Sequence, residues 1–475
     1  MSSSLSNKDN HKNPKSTSAW LAIIGLALVI LAGFAVGAGR ILVVVFPLGS
    51  IAVGLYLYLQ KPVMYVSFVW WLWFVGPLIR RIIDYQSGFL TFGPWTLTPT
   101  LVTCISGLSI IRLLPKNAIG STPFLLCIGS VFYAFLIGFL QNSKTVVINQ
   151  FLSWSCPILF GFHLFLSWRD YPQYRKIIQK TFVWGTLFLG VYGVIQYLIA
   201  PGWDRFWLES INNNTFGKPY PLQIRVSSSL NSPQGFANVM MAGLLMLFNS
   251  GGKLLFPASG FGYLAFLLSQ ARSAWIGWTI GLMTYLISIK ARLQIRLVGT
   301  MIAAAILVVP LALVPPFSDI ITSRLETLGA VSDPNGDISY RARAQGYAEL
   351  LNIALTQFLG RGLGYTISSN SIGSRDSSIL SMLFNLGWLG SIPYLLGLLM
   401  LLFKLFQVTQ KREDPFVSVC FAISFAVFMQ IGLNLINMNT IGMVLWGFIG
   451  IGMAGYKYNA CQKILQRRNR QQSLS

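Results

Sequence analysis

ILVVVFPLGSIAVGLYLYL (residues 41–59) and PVMYVSFVWWLWFVGPLI (residues 62–79) are separated only by Gln60 and Lys61, and neither run contains a charged side chain. Each is close to the roughly 20 apolar residues that a helix needs to cross a bilayer. The pattern continues on both sides of this pair. Runs of spanning or near-spanning length lie at about 19–38, 95–114, 122–140, 146–168, 181–200, 235–249, 254–270, 273–289, 297–315, 378–403, 415–436 and 438–456. Runs 235–249 and 254–270 are short for straight spans, so about 12 to 14 transmembrane helices are expected. The fold class this predicts is an all-α polytopic membrane protein.

Composition agrees. Only 10% of the residues are charged, against about 25% in an ordinary soluble domain. A water-soluble fold of 475 residues could not cover its surface with so few charges. The net charge of +22 would suit a nucleic-acid binder. Here the basic residues sit in short loops between apolar runs, where they set topology, and no nucleic-acid partner is expected. Cys104, Cys127, Cys156, Cys420 and Cys461 form no CxxC, and four of them lie in apolar runs. Neither a disulfide framework nor a zinc site is expected. With His11 and His163 as the two histidines, no metal centre and no cofactor are expected. His163 reads as a hydrogen-bonded interior residue.

Orientation follows from counting. With the N-terminus inside, the inner segments carry 22 Lys+Arg and 4 acids, and the outer segments 13 and 9. The dense basic clusters Arg169 to Lys180, Lys290 to Arg296 and Lys457 to Arg470 then all face the cytoplasm, as the positive-inside rule requires. The organisation expected is a cytoplasmic tail (1–18), a transmembrane bundle (19–315), a large outer loop (316–377), C-terminal transmembrane helices (378–456) and a basic cytoplasmic tail (457–475). The polar start with Lys8, Lys12 and Lys15 precedes a run long enough to be a retained first helix rather than a signal peptide.

Two outer loops are long, 201–234 and 316–377, and long loops of this kind are commonly functional. In the second, Asp337 can cap a helix from about Ile338 to Phe358. Tyr340, Ala344, Tyr347, Leu351, Ala354 and Phe358 would form one apolar face, and Gly360, Gly362 and Gly364 would end the helix. Such a helix suits a lid at the bilayer surface.

The outer loops are rich in arginine: Arg225, Arg272, Arg324, Arg341, Arg343, Arg361 and Arg375, with no outer lysine after residue 218. Arginine binds phosphate oxygens bidentately and keeps its charge when partly buried, so the set points to an anionic, phosphate-bearing ligand. The alternative is that these arginines pair with Asp319, Glu326, Asp333 or Glu349. Arg272 lies between two short apolar runs. A helix break there would aim backbone N–H groups and the guanidinium at one point. The spans contain no obvious Asp or Glu, which disfavours an ion-coupled carrier.

At these residues the chain resembles a known superfamily. Arg272-Ser273-Ala274-Trp275 after an apolar run, and Arg225 followed by Asn231-Ser232-Pro233 and Asn238, are similar to elements of the O-antigen ligases and Wzy-type O-antigen polymerases. Arg341 or Arg343 with Tyr347, then Leu359-Gly360-Arg361-Gly362-Leu363-Gly364, resemble that family's outer loop. Asp376-Ser377-Ser378-Ile379-Leu380, with Gly387 and Gly390, resembles the segment following it. The resemblance covers roughly residues 150–450.

It implies a GT-C-like, metal-independent glycosyltransferase of the bacterial cytoplasmic membrane. The donor would be a glycan on undecaprenyl pyrophosphate, and the acceptor another glycan or lipid A-core. A flippase and a chain-length regulator would be possible partners. Arg225, Arg272, Arg341, Arg343, Arg361 and Arg375 would bind pyrophosphate. Arg272 and Asp376 would be catalytic, with Asp376 as base. The family's ligases carry a His at the position of Asp376, so either Asp376 takes that role or the chain is a polymerase-type member. Asp376 could also cap the helix that starts at Ser377. The alternative reading is a transporter of a small anion, or a polysaccharide exporter.

Overall fold

The computed structural model describes residues 14–90, 93–117, 119–211, 214–315, 317–318, 321, 338–365 and 377–472. Among these residues no strand forms, apart from one isolated bridge between Gly217 and Ile224. Each of the fourteen apolar runs is largely helical. The first three are α1 (Pro14–Ala35), α2 (Gly39–Gln60) and α3 (Pro62–Ser87). The fourth is broken into α4 (Thr98–Cys104) and α5 (Leu108–Asn117). Then come α6 (Thr122–Gln141), α7 (Lys144–Leu166), α8 (Tyr171–Ile199) and a short loop helix, α9 (Gly202–Ile211). The second half holds α10 (Pro233–Leu247), α11 (Leu255–Leu268), α12 (Arg272–Ile287) and α13 (Ala291–Ala312). A loop helix, α14 (Ile338–Leu355), precedes α15 (Ser378–Thr409), α16 (Pro415–Phe428) and α17 (Asn439–Gln472). Eight of the described segments are long and apolar enough to cross a membrane, and α10, α11 and α16 are shorter apolar helices. The chain is an all-α, multi-pass membrane protein.

The helix boundaries have local causes. Proline stands at the start of α3, α6, α10 and α16, where its missing N–H has no helical partner to lose. Pro47, Pro77, Pro157 and Pro393 lie inside helices, which a packed membrane bundle tolerates. Trp70 sits at the centre of an aromatic core with Phe160, Phe182 and Phe448. Beside it α7 and α17 meet backbone to backbone. A Cβ on Gly450 would lie 2.1 Å from the Gly161 carbonyl oxygen. Small residues at a crossing are how apolar helices gain packing energy without a hydrophobic drive between them.

The bundle has two distinct ends. At one, Arg175 pairs with Asp414, Lys463 with Glu413, and Lys457 donates to the Ile119 carbonyl. This end gathers the basic segments. The last of them is no loose tail, because α17 continues as a helix to Gln472. The 201–234 loop and the start of α10 lie at the other end.

Several expectations change. The apolar run 415–436 is helical only to Phe428, and an irregular segment of turns follows through residue 438. The loop helix ends at Leu355 rather than Phe358, and Phe358 is exposed. Its buried side is Leu350 and Ala354, packed on Leu380, Leu383 and Phe384 of α15 with Tyr347 and Leu351 alongside. Cys104 and Cys156 are joined in a disulfide between the end of α4 and α7, a pairing that spacing alone did not suggest.

Gly360, Gly362 and Gly364 do not cap that helix. All three have positive φ and build a strap, residues 357–365, laid across α6 and α15. α15 breaks at Gly387 (φ 63°, ψ −173°), which frees backbone groups on either side. Arg361 and Gly362 donate to the carbonyls of Phe384 and Asn385 at 2.7 and 3.1 Å. Trp388 and Leu389 donate back to Gln357 and Phe358, each at 3.1 Å. Leu363 N–H reaches Ala134 of α6, and Asn142 Nδ2 donates to the carbonyls of Arg361 and Leu363. The break in α15 is thus hydrogen-bonded by the strap rather than exposed to lipid.

Candidate functional site

At the end opposite the basic clusters lies a cavity of about 820 Å³. Its walls come from α3 (Gly76, Pro77, Arg80), residues 96–100 leading into α4, α7 (Asn149, Ser153) and Thr215 with Phe216. Asn231 to Gly235 and the irregular segment with Asn434, Leu435 and Met438 complete it, together with the first residues of α17. Irregular backbone at membrane depth is tolerated where it lines such a cavity. The N-termini of α10 and α17 both contribute their opening residues, and helix N-termini favour anions. Ser232 caps α10 by accepting from Gly235 N–H at 3.0 Å.

Arg80 is the cation on the cavity wall. Its Nε donates to Asp84 Oδ2 at 3.3 Å, and Asp84 is itself held by Trp95 Nε1 at 3.0 Å. Among the described residues, the terminal guanidinium nitrogens of Arg80 make no hydrogen bond. They are available to an anion in the cavity.

Its neighbour Arg81 does a different job. The side chain is fully buried and pairs with Asp204 at 2.5 Å. It also donates to the carbonyls of Ser228 and Leu230 and to Ser227 Oγ, and it stacks on Trp207. Tyr192 holds the second oxygen of Asp204, and Gln196 Oε1 accepts from the N–H groups of Ser227 and Ser228. This network ties α9 to residues 227–230, next to Asn231 and Ser232 on the cavity wall.

The predicted arginines separate into groups. Arg225 and Arg272 are brought together at the break between α11 and α12, where Gln270 has a left-handed φ of 53°. Arg225 donates to the carbonyls of Ser269, Gln270 and Thr215, so it closes the end of α11 and backs the cavity residue Thr215. Arg272 opens α12. The next residue, Ser273, accepts from Asn434, which lines the cavity and also donates to Gln430, while Gln430 donates to Asn238. Arg361 lies elsewhere, on the strap, with its Nε on Gln357 and its guanidinium over Tyr365. Arg341 and Arg343 are on α14, but their side chains are outside the described residues, as are Arg324, Arg375 and Asp376 altogether.

Two details bear on Asp376. The residue that caps α15 is Ser377, whose Oγ accepts from Leu380 N–H at 3.3 Å, so the capping role considered for Asp376 belongs to its neighbour. Ser377 is also bonded to Tyr347 of α14, whose hydroxyl donates to Gly432 O at 2.9 Å. Ser378 bonds the carbonyl of Asn434 and the N–H of Ile436. The chain just after Asp376 is therefore fastened to the segment that lines the cavity.

Arg80 was missed by sequence reasoning. The signal was present: a twin arginine at the end of an apolar run, on the side that positive charge avoids, with Asp84 four residues on.

The fold and cavity define the class: a multi-pass helical membrane protein with a polar, cation-bearing cavity at one end. Compared with known proteins, the chain matches no protein-family model, and no curated protein matches it.

Proposed function

We propose that the chain is a GT-C-like membrane glycosyltransferase of the O-antigen ligase and Wzy-type polymerase kind. It moves a glycan from undecaprenyl pyrophosphate to an acceptor hydroxyl on the outer face of the bacterial cytoplasmic membrane, with both termini cytoplasmic. The observation that carries this reading is the cavity of about 820 Å³ with Arg80 on its wall and two helix N-termini opening into it. Such a site suits a pyrophosphate whose sugar lies among hydroxyl and amide side chains. Of the segments that resemble the superfamily, Asn231 lines the same cavity, and Arg225 and Ser273, next to Arg272, are hydrogen-bonded to the lining residues Thr215 and Asn434.

In this reading the acceptor oxygen attacks the anomeric carbon and its proton passes to Asp376. The bond from that carbon to the pyrophosphate oxygen breaks, and undecaprenyl pyrophosphate leaves with the electron pair. Direct displacement inverts the anomeric configuration. Arg80, Arg272 and the N-termini of α10 and α17 stabilise the charge that develops on the leaving group. Arg341, Arg343, Arg361 and Arg375 guide the anion in from the outer face, and α14 covers the sugar.

The test is substitution of Arg272→Ala and Asp376→Ala, scored by glycan length on a gel. Each should abolish transfer while expression stays normal. Unchanged polymer length for both would overturn the assignment.

A further inference from the structure

The end of the bundle away from the polar cavity holds a second, chemically different hollow. α13 packs chiefly on α11. Between α13 and the ends of α10, α11 and α12 a groove of about 650 Å³ remains, lined by Leu247, Phe256, Tyr285, Leu293, Leu297 and Ile306. Its size falls within the range of about 300–1,000 Å³ typical of small-molecule sites. An adjoining hollow of about 380 Å³ shares Asn249 and Ser250 with it and is lined by Lys180, Trp184 and Lys253. Lys290 and Arg292 flank the start of α13. Among the described residues, the acids of this end are engaged: Asp414 by Arg175, Tyr171 and Asn459, and Glu413 by Lys463. Asp170 lies beside Arg169. At the junction of the two hollows, Asn249 Nδ2 is buried with no hydrogen-bond partner among the described residues.

We propose that this double hollow binds one anionic phospholipid, with an acyl chain in the groove and the phosphate at Lys180, Lys253 and Asn249. An apolar trough that ends in a cationic pocket between helices matches an amphiphile with a negative head. A free phosphate would leave the trough empty, and a zwitterionic lipid would leave the lysines uncompensated. The site is independent of the polar cavity and of the reaction assigned to it.

The experiment is native mass spectrometry of the purified protein after exchange with equimolar phosphatidylglycerol and phosphatidylcholine. Each basic residue near an anionic head adds about a fivefold factor, so the wild type should retain phosphatidylglycerol by roughly tenfold or more. Lys180→Gln with Lys253→Gln should bring the ratio near one, while Lys180→Arg with Lys253→Arg keeps it. Gly299 lines the groove, and a side chain there meets open space. Gly299→Phe should therefore lower the retention of both lipids several-fold without changing their ratio. For the wild type alone, about 1 M salt should collapse the preference. Equal retention of the two lipids by the wild type, an unchanged ratio in the double Gln variant, or full retention by Gly299→Phe would each overturn the proposal.

Discussion

Gly387→Ala is the substitution whose consequence the structure makes most calculable. At φ 63° and ψ −173° the residue occupies a region open essentially to glycine alone. An alanine there carries a strain of about 1–3 kcal/mol before any contact is considered. Its Cβ would also stand 2.3 Å from the Gly360 nitrogen and 2.5 Å from the Leu359 carbonyl carbon. These are backbone atoms of the strap and cannot rotate away. The cheapest relief is to lift the strap, which loses the four backbone hydrogen bonds across the break, each worth about 0.5–1.5 kcal/mol net. The opening free energy of residues 357–365 should fall by at least about 2 kcal/mol, roughly a thirtyfold rise in the open population. Hydrogen exchange followed by mass spectrometry in detergent reads this directly. The amides of Arg361, Gly362, Leu363 and Gly364 are all donors in the closed strap. They should exchange faster by that factor, while α7 peptides stay unchanged. Exchange within about twofold of the wild type would refute the role assigned to Gly387.

Other outcomes follow from the same contacts. Arg81→Met should destabilise the protein by about 3–5 kcal/mol in thermal unfolding, because it strands the buried Asp204 carboxylate, and adding Asp204→Leu should recover part of the loss. Two independent, additive losses would argue against the pairing. Ser377→Ala should cost about 1 kcal/mol as a lost cap and speed exchange of the Leu380 amide, whereas an unchanged rate would remove the cap from the account. Arg80→Gln should slow glycan transfer by roughly 10²–10³-fold and also lower thermal stability, because it leaves the buried Asp84 carboxylate without its cation; wild-type transfer rates would take Arg80 out of the site.

The class of fold was legible in the sequence because hydropathy and charge counting both answer to the bilayer. All fourteen apolar runs contain helices. Where the reading failed, apolar composition hid irregular backbone. Residues 429–438 look like the rest of a span, yet they form the turns that line the cavity, and only Gln430, Asn434 and Asn437 hint at it. The glycines of the strap were seen but assigned to a helix end. Their reason is long-range, a fit against Gly138 and Gly387 that spacing cannot show. Near the candidate site, the break before Arg272 was legible from the sequence, whereas Asn231 and Ser232 entered only through the resemblance and their place on the cavity wall comes from the fold. Arg80 and the bonding of Arg225 to the end of α11 depend on partners far away in the chain. The same holds for Cys104 and Cys156, 52 residues apart and on different helices.

The central claim is that this membrane protein performs glycan transfer at its polar cavity. The most direct measurement places the purified protein in liposomes with undecaprenyl-pyrophosphate-linked repeat units, without nucleotide or ion gradient. The lipid-linked glycan should lengthen and undecaprenyl pyrophosphate should be released. A glycan of unchanged length, with anion or glycan flux across the liposome membrane instead, would contradict the claim.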